Sequence, residues 1–212
     1  LPGLRRRRPH RNTYNHDDLN AWHERVCKAI GDDEDLTYVA EPKIDGVAVS
    51  LRYISGRLTQ AVTRGDGRRG DDITQNVRTI RAIPLIFDGT QKTAPEVLEV
   101  RGEIYMPDRE FQRINDLREK EGQERFANPR NAAAGTLKQL DSRIVAKRNL
   151  HFFAHGRGQV EPDPFGGYFE FIQNLRSWGI PVNPNTTSCP DQKQVWRFIE
   201  QFDKKRDKIG YG

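Results

Sequence analysis

Residues 41–46, Glu41-Pro42-Lys43-Ile44-Asp45-Gly46, bring together the side chains best suited to covalent phosphorus chemistry in this chain. Lysine is the side chain whose pKa shifts readily enough to serve as a nucleophilic amine, provided it is held still and a bulky phosphate can reach it. If the segment is extended, Lys43 and Asp45 project to the same side, because strand side chains alternate with period two. Gly46 removes a Cβ where a ligand would need to approach the backbone. A neighbouring carboxylate stabilises an ammonium, so Asp45 by itself works against the free amine. Added positive charge near Lys43 is therefore expected, with a magnesium ion carried in on substrate phosphates as its source. Four residues are a weak signal, matched by chance in roughly a few per cent of chains this long. A charged hairpin edge explains them equally well until their surroundings are read.

The elements that must hold this stretch follow from the hydrophobic pattern. Leu19, Trp22, Val26 and Ile30 recur at helical spacing after Asn15, predicting an amphipathic helix that ends at Gly31. Acidic residues 32–35 form a loop. Strand-like runs follow at 36–40, 47–53 and 58–63, with Ser55-Gly56 as a turn between the last two. We read these runs as a meander, which argues for an antiparallel sheet. Gly65, Gly67 and Gly70 match the spacing of a dinucleotide-binding loop, but hairpins rather than a strand–helix–strand unit lead into them, so that fingerprint carries no weight here. Arg64 stands beside these glycines, and Asp72 with Gln75 reads as a cap and its partner for a helix starting near Ile73.

Residues 97–105 predict another strand, carrying Arg101-Gly102-Glu103. Pro107 opens a helix with Phe111, Ile114 and Leu117 on one face, closing at Gly122. The run Asn128-Pro129-Arg130-Asn131-Ala132-Ala133-Ala134-Gly135 suits a helix pressed against something flat, either a sheet or a ligand. A tightly packed core helix explains the alanines, but not Asn128, Arg130 and Asn131 together. Residues 149–155 alternate as a strand. Tyr168, Phe171, Ile172, Leu175 and Trp178 mark a helix stopped by Gly179, and Val195, Phe198, Ile199 and Phe202 mark a last one, with the aromatics of both expected in the core. His151 and His155 share a strand face without an evident third ligand, so no metal site is expected.

Composition sets the outer limits. The formal charge of +5 among 212 residues suggests an anionic partner, although four of the positive charges are the run Arg5, Arg6, Arg7, Arg8, which reads as a solvated arm. No stretch reaches the length of a membrane span and no signal-peptide core is present, so no membrane partner is expected. Cys27 and Cys189 are isolated, which argues against a disulfide framework and for a reducing, intracellular setting.

Taken together, residues 41–51, Thr63-Arg64-Gly65-Asp66-Gly67, Asp72-Ile73-Thr74, Glu99-Val100-Arg101-Gly102-Glu103 and the run 126–141 resemble, in order and spacing over residues 12–212, the adenylation domain of bacterial NAD-dependent DNA ligases. The resemblance implies an α+β nucleotidyltransferase fold of the ATP-grasp-like ligase type, with antiparallel sheets flanked by helices. It implies NAD and magnesium as cofactors, nicked double-stranded DNA as partner, a role in DNA replication and repair, and a cytoplasmic, nucleoid-associated location. Lys43 then corresponds to the lysine that takes AMP from NAD and expels nicotinamide mononucleotide, with Asp45 and Gly46 completing its motif. Glu41 matches the residue contacting adenine, and Arg64 and Glu103 match NAD-binding positions near the ribose and phosphate. Arg130 falls where the family places an arginine near the nicked-strand phosphate. Lys138 stands where many members have arginine, which keeps the charge but weakens a bidentate phosphate grip. Arg206 matches another basic site residue.

The departures shape the expectation equally. Residues 4–11 do not look like the family's leucine–serine segment that contacts the nucleotide. The family's Asp-Gly-Val-Val strand with its lysine, a second lysine, and the nicotinamide-binding, oligonucleotide-binding, zinc-finger, helix–hairpin–helix and BRCT regions have no counterpart here. A basic disordered tail over 1–11 and a partial adenylation domain over 12–212, shortened at both ends, are therefore expected. Such a chain would form lysyl-AMP without sealing nicks alone, unless a separate chain supplies the missing parts. Two other readings compete: a non-catalytic remnant, and a basic nucleic-acid-binding module using Arg5 through Arg8, Arg68, Arg69 and Arg130.

Overall fold

The computed structural model describes residues 13, 15–31, 36–65, 70–87 and 94–211. The arginine-rich tail, the acidic loop at 32–35 and Asp66, Gly67, Arg68 and Arg69 lie outside the described residues. The chain divides into two compact units, Leu1–Ala40 with Ser188–Lys204, and Glu41–Thr187 with Lys205–Gly212.

The first unit contains α1 (His16–Ile30), β1 (Tyr38–Ala40), β6 (Thr187–Cys189) and α7 (Gln192–Asp203). Asn15 caps α1, its side-chain oxygen accepting from the Asp18 amide at 2.8 Å, and Gly31 ends the helix, as the pattern predicts. β1 and β6 form a two-stranded sheet. Two expectations need correction here. β1 does not belong to the meander: Pro42 has no N–H to donate to a ladder, residues 41–46 form no strand, and the chain leaves one sheet before entering another. The apolar residues of α7 are not core either. None of its residues is buried and Ile199 is 40% exposed, because a unit this small covers its apolar faces only in part.

The second unit is α+β, built on a four-stranded antiparallel sheet in the order β3-β2-β4-β5. Its strands are β2 (Val47–Ile54), β3 (Arg57–Thr63), β4 (Val97–Tyr105) and β5 (His151–Glu161). β2 and β3 join through Ser55-Gly56, both at positive φ, the geometry of a tight hairpin. Alternation sends Val49, Leu51 and Tyr53 of β2, Leu98, Val100 and Ile104 of β4, and Phe152 and Ala154 of β5 into one core. Glu103 stands opposite Phe153 in register, and both belong to the face that core does not use. β5 runs six residues beyond the predicted strand end, so that its far half pairs with the start of β4.

The helices of this unit are α2 (Thr74–Val77), α3 (Asp108–Lys120), α4 (Pro129–Leu137), α5 (Ser142–Ala146) and α6 (Tyr168–Ser177). In α4, Asn128 caps the start by accepting from the Asn131 amide at 2.7 Å, and Ala132, Ala133, Thr136 and Leu137 are buried. The flat partner of its small residues is the sheet, since α4 packs on β2 and β4. The Phe171, Ile172 and Leu175 side chains of α6 are fully buried, as expected. α3 turns Glu110, Ile114 and Asn115 inward and leaves Leu117 48% exposed, correcting the predicted face. α2 is a single turn. Asp72 accepts from the amide and hydroxyl of Thr74 at 2.9 and 2.6 Å, so Thr74 rather than Gln75 is its partner.

Candidate active site

The segment 41–46 enters β2 with Ile44 buried between exposed Lys43 and Asp45, the alternation its sequence predicts. Gly46 needs correction. A Cβ there would lie 2.5 Å from the Ile104 carbonyl oxygen and 3.2 Å from the Tyr105 Cβ, so the position is kept small by the backbone of β4 rather than by a ligand. That close approach locks the lysine segment against the strand carrying Glu103. Gly70 is likewise pressed against the Thr63 backbone, where the chain returns to β3 and the Thr63 amide donates to the Asp71 carbonyl at 2.9 Å.

Lys43, Glu41, Glu103, Phe153, His155 and Asn183 line one cavity of about 290 Å³, near the lower end of volumes common for small-molecule sites. Burial pushes the Glu103 carboxyl above the usual glutamate range, while Arg130, Lys43 and Arg64 pull it back and Asp45 adds to the rise. Lys43, Asp45, Arg64 and Arg130 thus all act on this one carboxylate of the cavity wall. Just beyond the end of β3 the Arg64 amide donates to the Ala48 carbonyl at 2.9 Å. Arg130, in the first turn of α4, donates from Nη1 to Asp45 Oδ1 at 2.8 Å.

Glu41 accepts from the Tyr168 hydroxyl, at 3.2 and 3.4 Å to its two oxygens. Burial raises the Glu41 carboxyl and this hydrogen bond lowers it in part, while burial and the Glu41 charge push the Tyr168 phenol up. His155 lies 3.9 Å from Glu103, and partial burial, then Lys43 and Arg64, hold its imidazole below the ordinary histidine range. Among the described residues, two buried polar atoms of cavity-lining residues have no hydrogen-bond partner: the acceptor Glu103 Oε2 and the donor Asn183 Nδ2. Among the described residues no group of three or more His, Cys, Asp or Glu side chains is placed to hold a metal ion.

The other sequence candidates lie elsewhere. Lys138 is at the opposite end of α4, roughly 12 Å from Arg130 along the helix axis. It lines a second cavity of about 220 Å³ with Asp71, Asp72, Asn76 and Leu140. Arg206 is exposed on a 3₁₀ turn, Arg206–Lys208. Just beyond it, Tyr211 packs on Tyr105 and Phe153 with ring centroids 5.4 and 5.5 Å away, tying that segment to the wall of the Lys43 cavity. Sequence reasoning missed Tyr168, Phe153 and Asn183, and weighed His155 only as a metal ligand. None of these carries a motif; each reaches the cavity through strand register or helix packing.

A family model described as the NAD-dependent DNA ligase adenylation domain matches residues 10–212. The DNA ligase of Shouchella clausii (strain KSM-K16) is 44% identical over 200 residues, covering 94% of this chain and 29% of its own length. The DNA ligase of Chloroflexus aurantiacus (strain ATCC 29366 / DSM 635 / J-10-fl) is 44% identical over 208 residues with the same coverages. That of Bacillus cereus (strain AH820) is 44% identical over 200 residues, again across 94% of this chain. The chain spans about 29% of the length of these relatives. On a match that takes in the whole cavity and both ends of α4, the chain belongs to the NAD-dependent DNA ligase adenylation-domain family.

Proposed function

We infer that this chain accepts AMP from NAD on Lys43, in a nucleotidyltransferase fold, as the first step of nick sealing in duplex DNA. The observation that carries this reading is the convergence of Lys43, Glu41 and Glu103 on one cavity in a member of this family. In the reaction, Lys43 Nζ loses its proton to solvent and forms the N–P bond to the adenylyl phosphorus. The P–O bond to nicotinamide mononucleotide breaks, and that group leaves with the electron pair. Glu41 takes the exocyclic amine of adenine, and Glu103 takes a ribose hydroxyl. Arg64 and Arg130 supply the positive charge that the lysine motif lacks by itself. Magnesium bound to the phosphates of NAD would neutralise part of their charge.

Later steps on nicked DNA belong to the ligase as a whole, whose other segments come from the same polypeptide or from a separate one. There Lys138 and Arg206 meet phosphates, in the nucleoid of the cytoplasm. Among the described residues no helix is long and apolar enough to cross a membrane. Intact-mass spectrometry after incubation with magnesium and either NAD or ATP tests the first step. The expected result is a gain of one AMP from NAD only, absent in Lys43→Ala. Folded wild-type protein that gains no AMP from either nucleotide overturns it.

A further inference from the structure

Tyr211 does not line the Lys43 cavity, yet it touches two residues that do, Phe153 and Asn183. The fold delivers it there by backbone. β4 ends at Tyr105 and α3 begins at Asp108, whose amide is one of those that a helix start leaves without an internal partner. The Gly210 carbonyl accepts from that amide at 3.0 Å, and Gly210 turns the chain at a φ of 76°, a conformation open to glycine. Tyr211 follows directly on this anchored turn. Its ring packs on Tyr105 and on Phe153, and Tyr105 in turn stacks on Phe153 at 5.0 Å between centroids and 26° between planes. Tyr105 is 4% exposed, so the base of this three-ring cluster is fixed in the fold.

The rings carry the weight of these contacts. The Tyr211 hydroxyl donates to Asn183 Oδ1 and accepts from Asn185 Nδ2, both at 3.4 Å, long for hydrogen bonds of either kind. Phe153 is half-buried on β5, and an aromatic side chain on a strand has two common χ1 rotamers, so strand register alone leaves its ring a choice. We propose that Tyr211 is a positioning residue for nucleotide binding: packed on Phe153 and Tyr105, it holds the Phe153 ring in the rotamer that forms one wall of the Lys43 cavity. The inference rests on the reading of this cavity as a nucleotide site and adds to it a residue that acts from behind the wall. Phe153 brings no charge to the transferring phosphoryl group. Misplacing its ring therefore removes binding that ground state and transition state share, which raises the half-saturating substrate concentration and spares the maximal rate.

The test is the rate of AMP gain on the chain, followed by intact mass over a range of NAD concentrations with magnesium present. Tyr211→Ala should raise the half-saturating NAD concentration about tenfold and leave the maximal rate within about twofold. Tyr211→Phe keeps the ring and should match the wild type within about twofold in both. Phe153→Ala should raise the half-saturating concentration by itself, and adding Tyr211→Ala to it should change that value by no more than about twofold, because the second residue acts through the first. If Tyr211→Ala fails to fold, Tyr211→Leu, which restores apolar volume without a flat ring, takes its place with the same expected shift. A half-saturating concentration unchanged in the folded variant, a loss confined to the maximal rate, or full additivity with Phe153→Ala overturns the role of Tyr211 and leaves the nucleotide site standing. Folded wild-type chain that gains no AMP overturns both.

Discussion

Arg130 and Asp45, 85 residues apart in the chain, pair at 2.8 Å between Nη1 and Oδ1. Both side chains are 54% exposed, so the pair contributes at most about 1 kcal/mol to stability. Its consequence lies in its position. Asp45 by itself favours the ammonium form of Lys43, and Arg130 draws that carboxylate into an ion pair while adding positive charge at the cavity.

Arg130 and Lys138 stand at opposite ends of α4, so substitutions there test separate roles. Arg130→Ala should leave the melting temperature nearly unchanged and slow AMP uptake on Lys43 by about tenfold or more. Lys138→Ala, at the far end of the helix, should leave AMP uptake within about twofold and weaken DNA binding, lowering the salt slope by about one. Rates of mass gain and salt-dependent DNA titrations separate the two; equal effects of both substitutions on AMP uptake would contradict the geometry.

Glu103 makes a second prediction. Its folded pKa is raised, so the protonated carboxyl is favoured on folding, and that stabilisation is lost as pH rises through the folded value. Glu103→Gln removes the buried charge without removing volume. The melting temperature of this variant should match the wild type below the ordinary glutamate range and exceed it by a growing margin as pH rises to about 7. AMP uptake should fall in the same variant. A margin that shrinks with rising pH would refute the sign.

Tyr168→Phe keeps the ring beside Phe171, 6.2 Å between centroids, and removes only the hydroxyl that Glu41 accepts. The Glu41 carboxyl, already raised by burial, should rise further. If the ionised form takes the base amine, as proposed, AMP affinity should be lost at a higher pH than in the wild type as the solution is acidified. At neutral pH the loss should be about fivefold. Coincident pH profiles for the two proteins would exclude the hydroxyl from ligand binding.

Gly46→Ala places a Cβ 2.5 Å from the Ile104 carbonyl oxygen, a backbone atom that cannot turn aside. The expected cost is about 1–3 kcal/mol, seen as a lower melting temperature with NAD absent. A variant of unchanged stability that fails only in nucleotide binding would return Gly46 to the role its sequence first suggested.

What the chain's order of residues determined by itself was local. Asn15, Asn128, Gly31 and Gly179 mark helix ends because their side chains or positive φ act within a few residues. The strands at 47–53 and 97–105 were legible because the period of a strand is intrinsic. The lysine motif was legible because its members are neighbours in sequence. Long-range placement was not. β1 joined another sheet, α7 kept its apolar side chains partly exposed, and β5 ran on to Glu161, each decided by partners far away in the chain. The cavity was completed in the same way. Glu103 is brought to Lys43 by β2–β4 register, Tyr168 to Glu41 by α6, and Asn183 by a parallel bridge to β5. Only tertiary packing buries Glu103 Oε2 and Asn183 Nδ2 without partners, because desolvation is a property of the assembled surroundings and not of any residue alone.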